Sequence, residues 1–191
     1  MIVVFGGAFN PPTIAHKEVY LHITKHLDVK LFIYLPVSNH YTKRSLESNI
    51  HRMQMLNLMT RNFDNVLVSP MEFEDPEFLG TYQSLIRIQE RYPEDEVVFV
   101  IGADNLAKLY KWKNAEALVS EFRFIILNRD ELNIQEALEN DPFLKRHEKQ
   151  FILLPTFSLS VSSTMFREQL DASLTDPLVF QYIQLHHLYR G

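Results

Sequence analysis

Apolar residues recur along this chain in two alternating rhythms. Short, mostly apolar runs fall at residues 2–5, 31–36, 66–69, 97–101, 124–127 and 151–154. They are rich in Val, Ile, Leu and Phe and too short for a buried helix, so they predict strands. Between them the spacing lengthens. Ala15, Val19, Ile23 and Leu27 return every fourth residue and predict a helix over 14–27, and similar stretches predict helices over 48–60, 82–91 and 115–120, with a shorter one over 105–109. Strand then helix, repeated at this interval, predicts an α/β fold: a doubly wound, mostly parallel sheet covered on both faces. In such sheets ligands sit beyond the carboxyl ends of the strands, where the strand order reverses.

The segment 129–150 is polar, contains Asn140-Asp141-Pro142 and predicts a short helix with flanking loops at the periphery. Pro177, after Thr175-Asp176, opens a terminal helix over 178–185. Phe180 and Ile183 on that helix, with Leu188 beyond it, suit either the core or a homodimer contact. Residues 1–191 read as one domain with a small C-terminal helical part from about residue 155, and no internal repeat is visible.

Composition narrows the function classes. The chain has no cysteine, hence no disulfide framework, thiolate metal site or cysteine nucleophile, and the expected compartment is the cytoplasm. No apolar stretch is long enough to span a bilayer and no cleavable leader is expected before the first strand. A net charge of -5 argues against a broad nucleic-acid-binding face, so an anionic ligand must be met locally. Basic residues gather at Lys43-Arg44, Arg52 and Arg167. The acidic run Glu72, Glu74, Asp75 and Glu77 reads as a solvated loop, and no protein metal site is expected.

Candidate chemistry begins at Gly6-Gly7-Ala8-Phe9-Asn10-Pro11-Pro12-Thr13-Ile14-Ala15-His16, directly after the first strand. Two glycines let the backbone approach a ligand, two prolines fix the exit of the turn, Thr13 caps the helix, and His16 lies in its first turn, where an anion is favoured. A second anion cradle is expected at Ser160-Val161-Ser162-Ser163-Thr164-Met165-Phe166-Arg167. Ser162 is the expected helix cap, and hydroxyl, amide and guanidinium can meet one phosphate. Neither stretch is a P-loop or a dinucleotide fingerprint.

The first stretch resembles the nucleotide-binding signature of the nucleotidylyltransferase superfamily, Gly-Gly-x-Phe-x-Pro followed by His/Thr-x-Gly-His. Here the tetrad reads Thr13-Ile14-Ala15-His16, with alanine in place of glycine and Asn10 where aspartate is common. The second resembles Ile-Ser-Ser-Thr-x-Ile/Phe-Arg of the same superfamily, with Val161 in the isoleucine place. The middle of the chain narrows the likeness. Thr81-Tyr82-Gln83-Ser84-Leu85 resembles the Thr-x-Asp-Thr-Leu element of nicotinate and nicotinamide mononucleotide adenylyltransferases, with Gln83 for aspartate. Ile101-Gly102-Ala103-Asp104-Asn105-Leu106 with Trp112-Lys113, and Tyr182-Ile183 with His187-Leu188-Tyr189, follow in that family's order.

The resemblance implies a Rossmann-like nucleotidylyltransferase fold and transfer of AMP from ATP to nicotinate mononucleotide, with Mg²⁺ accompanying ATP and pyrophosphate leaving. His16, Thr13, Lys43 and Arg167 are the implied catalytic residues. Gly6, Gly7, Ala8, Phe9, His16, Gly102, Asp104, Ser162, Ser163, Thr164 and Arg167 are implied to bind ATP, and Asn39, Lys43, Thr81, Tyr82, Asp104 and Trp112 the mononucleotide. The residues permit these roles. Trp112, the single tryptophan, can cover a pyridinium face, although alone it fits a core aromatic equally well. Asp104 can accept ribose hydroxyls or cap the following helix, Thr81 and Tyr82 can present backbone N–H groups to a carboxylate, and Arg52 can hold the loop carrying Lys43 and Arg44. Alternatives are an adenylyltransferase acting on nicotinamide mononucleotide or phosphopantetheine, and a nucleotide-binding regulator without turnover.

Overall fold

Alternating valines, isoleucines and phenylalanines place side chains on both faces of six strands: β1 (Ile2–Gly7), β2 (Leu31–Pro36), β3 (Val66–Val68), β4 (Val97–Gly102), β5 (Arg123–Leu127) and β6 (Phe151–Leu153). In the computed structural model, which describes residues 1–41, 46–75, 79–127, 134–155 and 161–190, these strands form one parallel sheet in the order β3-β2-β1-β4-β5-β6. Successive residues of one strand therefore enter different cores. Val3, Phe5, Phe32, Tyr34, Val98 and Val100 face one cluster, while Ile2, Val4, Ile33, Leu35, Val97 and Phe99 face the other.

Helices α1 (Ile14–His26), α2 (Asn49–Thr60), α8 (Ser163–Gln169) and α9 (Pro177–Leu185) bury Val19, Ile23, Met55, Leu56, Phe166, Val179 and Ile183 in the first cluster. On the opposite face lie α3 (Thr81–Arg91), α4 (Ala103–Leu106), α5 (Ala115–Glu121), α6 (Ile134–Asn140) and α7 (Pro142–Arg146), with Leu85, Ile88, Leu106, Leu118, Leu138 and Leu144 buried in the second. Strand order reverses between β1 and β4, so the carboxyl ends at Gly7 and Gly102 open a crevice.

Several boundaries differ from the sequence expectation. β1 and β4 run on into their glycines, because Gly6 and Gly7 pair with Leu35 and Pro36, and Gly102 pairs with Leu127. The helix expected over 105–109 becomes α4 followed by a 3₁₀ turn, Leu109–Lys111. The segment expected to hold one peripheral helix holds two, α6 and α7, and buries Leu138 and Leu144. Asp141 ends the first and caps the second by accepting the N–H groups of Phe143 and Leu144. Residues 128–133 lie outside the described part. Asp176 caps α9, which Pro177 opens as predicted, and Ile183, Phe180 and Leu188 pack into the first cluster, the core alternative of the two the sequence left open.

Candidate active site

The turn after β1 is shaped by aromatic packing. A Cβ on Gly6 would come within 3.0 Å of the Phe99 ring, and one on Gly7 within 3.1 Å of the Phe9 ring. The rings that floor the crevice thus leave little room for a side chain at either position, a constraint that stands beside the ligand approach expected from the sequence. Phe9 itself takes a left-handed backbone (φ 47°) and buries its ring against Phe5 and His16. A cleft of about 400 Å³ lies above, lined from β1 and α1 by Gly6, Gly7, Ala8, Phe9 and His16, and from the β4 side by Phe99, Gly102, Asp104, Asn105 and Trp112.

His16 is fixed in one orientation. Its Nδ1 accepts the Thr13 backbone N–H at 2.9 Å and lies 2.9 Å from Thr13 Oγ1, while the Tyr34 hydroxyl donates to the His16 carbonyl at 2.8 Å. Because Nδ1 is an acceptor here, the neutral ring carries its proton on Nε2 and presents a donor. The Thr13 side chain is fully buried and does not line the cleft. Its expected catalytic contact is therefore corrected to a supporting one, acting through the imidazole. Ala15, in the usual glycine place, is buried in the core without displacing these contacts.

The carbonyls of this turn are tied from distant parts of the chain. Val37 N–H donates to Gly7 O at 3.0 Å. Arg52 Nη1 donates to Ala8 O at 2.8 Å, Arg167 Nη1 to Asn10 O at 2.6 Å, Ser163 Oγ to Pro11 O at 2.8 Å and Thr175 Oγ1 to Pro12 O at 2.7 Å. In a trans peptide N–H and C=O point oppositely, so anchoring the Gly7 and Ala8 carbonyls turns the N–H groups of Ala8 and Phe9 the other way.

Arg52 does more than hold one loop. Fully buried, it also donates from Nε to Glu47 O (3.0 Å) and from Nη2 to Val37 O (2.6 Å), Asn39 Oδ1 (2.6 Å) and Asn49 Oδ1 (2.7 Å), with Phe73 5.4 Å away beneath the guanidinium. Burial lowers its pKa to about 10, so it stays a cation at neutral pH, solvated by carbonyls in place of water.

The second motif is brought to the first, but not as expected. Ser162 Oγ accepts the Met165 N–H and caps α8, Ser163 Oγ serves Pro11, and Arg167 Nη2 donates to Thr164 Oγ1 at 3.1 Å. These groups brace the back of the turn. Arg167 faces a neighbouring cleft of about 480 Å³, shared with Asn10, Glu47, His187, Tyr189 and Arg190. Ser162, Ser163, Thr164 and Arg167 thus do not converge with His16 on a single cleft, because their polar atoms are engaged by the turn and by their own helix.

On the opposite wall Trp112 stands edge-on to Phe99, ring centroids 6.2 Å apart, and borders a recess of about 340 Å³ with Gly80, Thr81, Lys111 and Lys113. The structure therefore joins Thr81 to Trp112 and, through Trp112, to Asp104 and His16. Gly80, at φ 95°, starts α3 in a conformation that disfavours a side chain. Tyr82 turns its side chain away to Glu121, 2.9 Å from its hydroxyl, so only its backbone can serve the recess. The exposed Asn39 places its amide between Arg52 and the Glu47 carbonyl and braces the loop. Lys43 and Arg44 lie outside the described residues.

The acidic run is not a solvated loop throughout. Glu72 is 4% exposed, accepts the Ser84 hydroxyl at 2.8 Å, and has its pKa raised to about 7 by burial, against the opposing pull of that hydrogen bond. Asp75 pairs with Arg87 at 2.8 Å, and Glu77 lies outside the described residues. Sequence reasoning also passed over Lys111 at the recess. Ser84, one turn into α3 on its buried face, was the available signal for a polar partner at Glu72.

Comparisons with known proteins agree with this geometry. Residues 4–169 match the cytidylyltransferase-like family. A protein of Acholeplasma laidlawii named "Probable nicotinate-nucleotide adenylyltransferase" is 34% identical over 175 residues, covering 91% of this chain and 88% of the relative. One of the same name from Carboxydothermus hydrogenoformans is 29% identical over 196 residues, covering 99% and 98%. Among solved structures, Plasmodium falciparum nicotinic acid mononucleotide adenylyltransferase, complexed with APC or with NaAD, superposes with a TM-score of 0.79 at 23% identity, covering 98% of this chain and 96% of that one, and so shares the fold.

Proposed function

The chain belongs to the cytidylyltransferase-like family, in its nicotinate-nucleotide adenylyltransferase branch, and on that premise we propose how its own residues join the AMP moiety of ATP to nicotinate mononucleotide, releasing pyrophosphate. The observation that carries the reading is the single cleft at the β1–β4 switch, with the oriented imidazole of His16 on one wall and Asp104 and Trp112 on the other.

The 5′-phosphate of the mononucleotide is ionised at neutral pH and needs no general base, so catalysis is alignment and charge stabilisation. The His16 Nε2–H and the N–H groups of Ala8 and Phe9 receive the oxygens of the α-phosphate as negative charge shifts during in-line attack. Asp104 accepts ribose hydroxyls. Trp112 lies along the pyridine ring, the first-turn N–H groups of Thr81 and Tyr82 meet its carboxylate, and Lys43 meets the mononucleotide phosphate. Ser162, Ser163, Thr164 and Arg167 act on ATP chiefly by fixing the turn, with Arg167 open to the adjoining cleft.

ATP would enter as its magnesium complex. Among the described residues no group of three or more His, Cys, Asp or Glu is arranged to hold a metal. One carboxylate beside amides and an imidazole suits a hydrated ion that arrives with the nucleotide, which would neutralise the leaving pyrophosphate. The proposal also includes cytoplasmic residence, in keeping with a cysteine-free chain, and a homodimer, which would need a surface other than the buried side of α9. Among the described residues no helix is long and apolar enough to cross a membrane.

The test is pyrophosphate release from ATP with nicotinate mononucleotide, nicotinamide mononucleotide and phosphopantetheine as acceptors. The acid mononucleotide should give the highest kcat/KM and an adenine dinucleotide product. A higher value for either other acceptor reassigns the substrate, and no release with any acceptor overturns the reaction.

A further inference from the structure

The end of the chain reaches back to its beginning. Helix α9 closes in a Schellman arrangement: Leu188 N–H donates to Ile183 O at 3.0 Å and His187 N–H to Gln184 O at 3.3 Å, with His187 in the left-handed region (φ 53°) that glycine normally occupies at this place. The chain reverses, Leu188 is buried, and Tyr189 is again left-handed (φ 59°). Two side-chain-bearing residues in this conformation, separated by one residue, are held against their own preference, which requires that the surroundings fix them. The contacts that do so all belong to the tail. Leu188 enters the first core cluster, the Tyr189 ring meets Phe166 edge-on at 6.1 Å, and the Tyr189 hydroxyl donates to Asn10 Oδ1 at 2.9 Å across 179 residues. The same Asn10 oxygen accepts the Glu47 N–H at 3.1 Å, and its backbone carbonyl accepts Arg167.

We propose that Tyr189 is a positioning residue for the nucleotide turn, a C-terminal latch whose hydroxyl sets the Asn10 side chain and with it the backbone that faces ATP. This rests on the adenylyl-transfer reading for its meaning, but not for its detection. Asn10 is 3% exposed and its side-chain oxygen has two donors, one from the segment after β2 and one from the tail. Removing the tail donor leaves the Asn10 oxygen with one partner and the turn with one fewer tie. The position commonly held by aspartate in the superfamily carries an amide here, and a neutral oxygen accepts a phenol without adding charge beside the ATP phosphates.

The experiment compares Tyr189→Phe with the unaltered full chain. Three quantities are read: hydrogen exchange of the peptide spanning residues 6–16, the ATP dissociation constant by calorimetry, and the melting temperature. The latch predicts exchange faster by about 5-fold and ATP binding weaker by roughly 3- to 10-fold, while the dissociation constant of nicotinate mononucleotide stays within about 2-fold. Unchanged exchange over 6–16 overturns the proposal, as does unchanged ATP affinity, and a lower melting temperature with neither change assigns Tyr189 to packing alone. None of these readouts requires turnover. A chain that binds ATP but transfers no adenylyl group therefore contradicts the proposed function while the latch is still judged.

Discussion

The two walls of the cleft are built in opposite ways. The turn after β1 is fastened by donors from four other parts of the chain: Val37, Arg52, the second motif at Ser163 and Arg167, and Thr175. The recess at Gly80–Thr81 rests on local structure, namely the start of α3, the edge contact of Trp112 with Phe99, and the Glu72–Ser84 bond behind it. The difference teaches where each kind of work is done. Charge stabilisation at a phosphate demands dipoles that do not reorganise, so the cradle is over-determined. Recognition of a ring needs a shaped wall and tolerates fewer ties.

The sharpest test of the comparison removes the donor itself. His16→Ala should lower kcat by roughly 10²-fold or more with little change in melting temperature, measured by steady-state kinetics and calorimetry. An unchanged kcat would remove His16 from the groups that act on the phosphate. Next in size, Arg52→Met strips a buried cation from the Ala8, Val37 and Glu47 carbonyls and should cost about 3 kcal/mol in denaturant unfolding, with kcat falling as well. A variant of normal stability would show that the cradle is not held as described.

On the other wall, Trp112→Ala should raise KM for the mononucleotide by about 10-fold while kcat for saturated enzyme and KM for ATP change little. A fall in kcat without a change in KM would erase the division between the walls. The smallest effect is on stability alone. Glu72 has its folded pKa raised to about 7 from 4.5, so the folded state holds the proton more tightly than the unfolded one, and stability should decline as pH rises from about 4.5 to about 7. Glu72→Gln should flatten that decline, worth roughly 1–3 kcal/mol, in unfolding curves taken across this range. An identical pH profile would place the carboxyl in contact with solvent.

Much of this protein is legible in the order of its residues. The six strands, the helices that alternate with them and the turn that carries His16 follow from periodicity and from Gly, Pro and Thr at particular offsets, all of which act within one or two turns of chain. Ser162 caps its helix and Pro177 opens the terminal one as expected for the same reason. The sequence also placed Trp112 and Asp104 after β4, where the switch in strand order puts ligands.

What only the tertiary structure decided is which polar groups are already engaged. Ser163 reaches Pro11 across 152 residues, Arg167 reaches Asn10 across 157 and Thr175 reaches Pro12 across 163. Ser163 and Arg167, read in the sequence as phosphate ligands, thereby also fasten the turn. Glu72 changed meaning in the same way, through a partner brought close by packing, and Asn39 gained a bracing contact with Arg52. A residue's type and local spacing fix its backbone conformation and its donors and acceptors. Which of those donors remain for a ligand depends on long-range contacts, which the hydrophobic cores impose only once both faces of the sheet are covered.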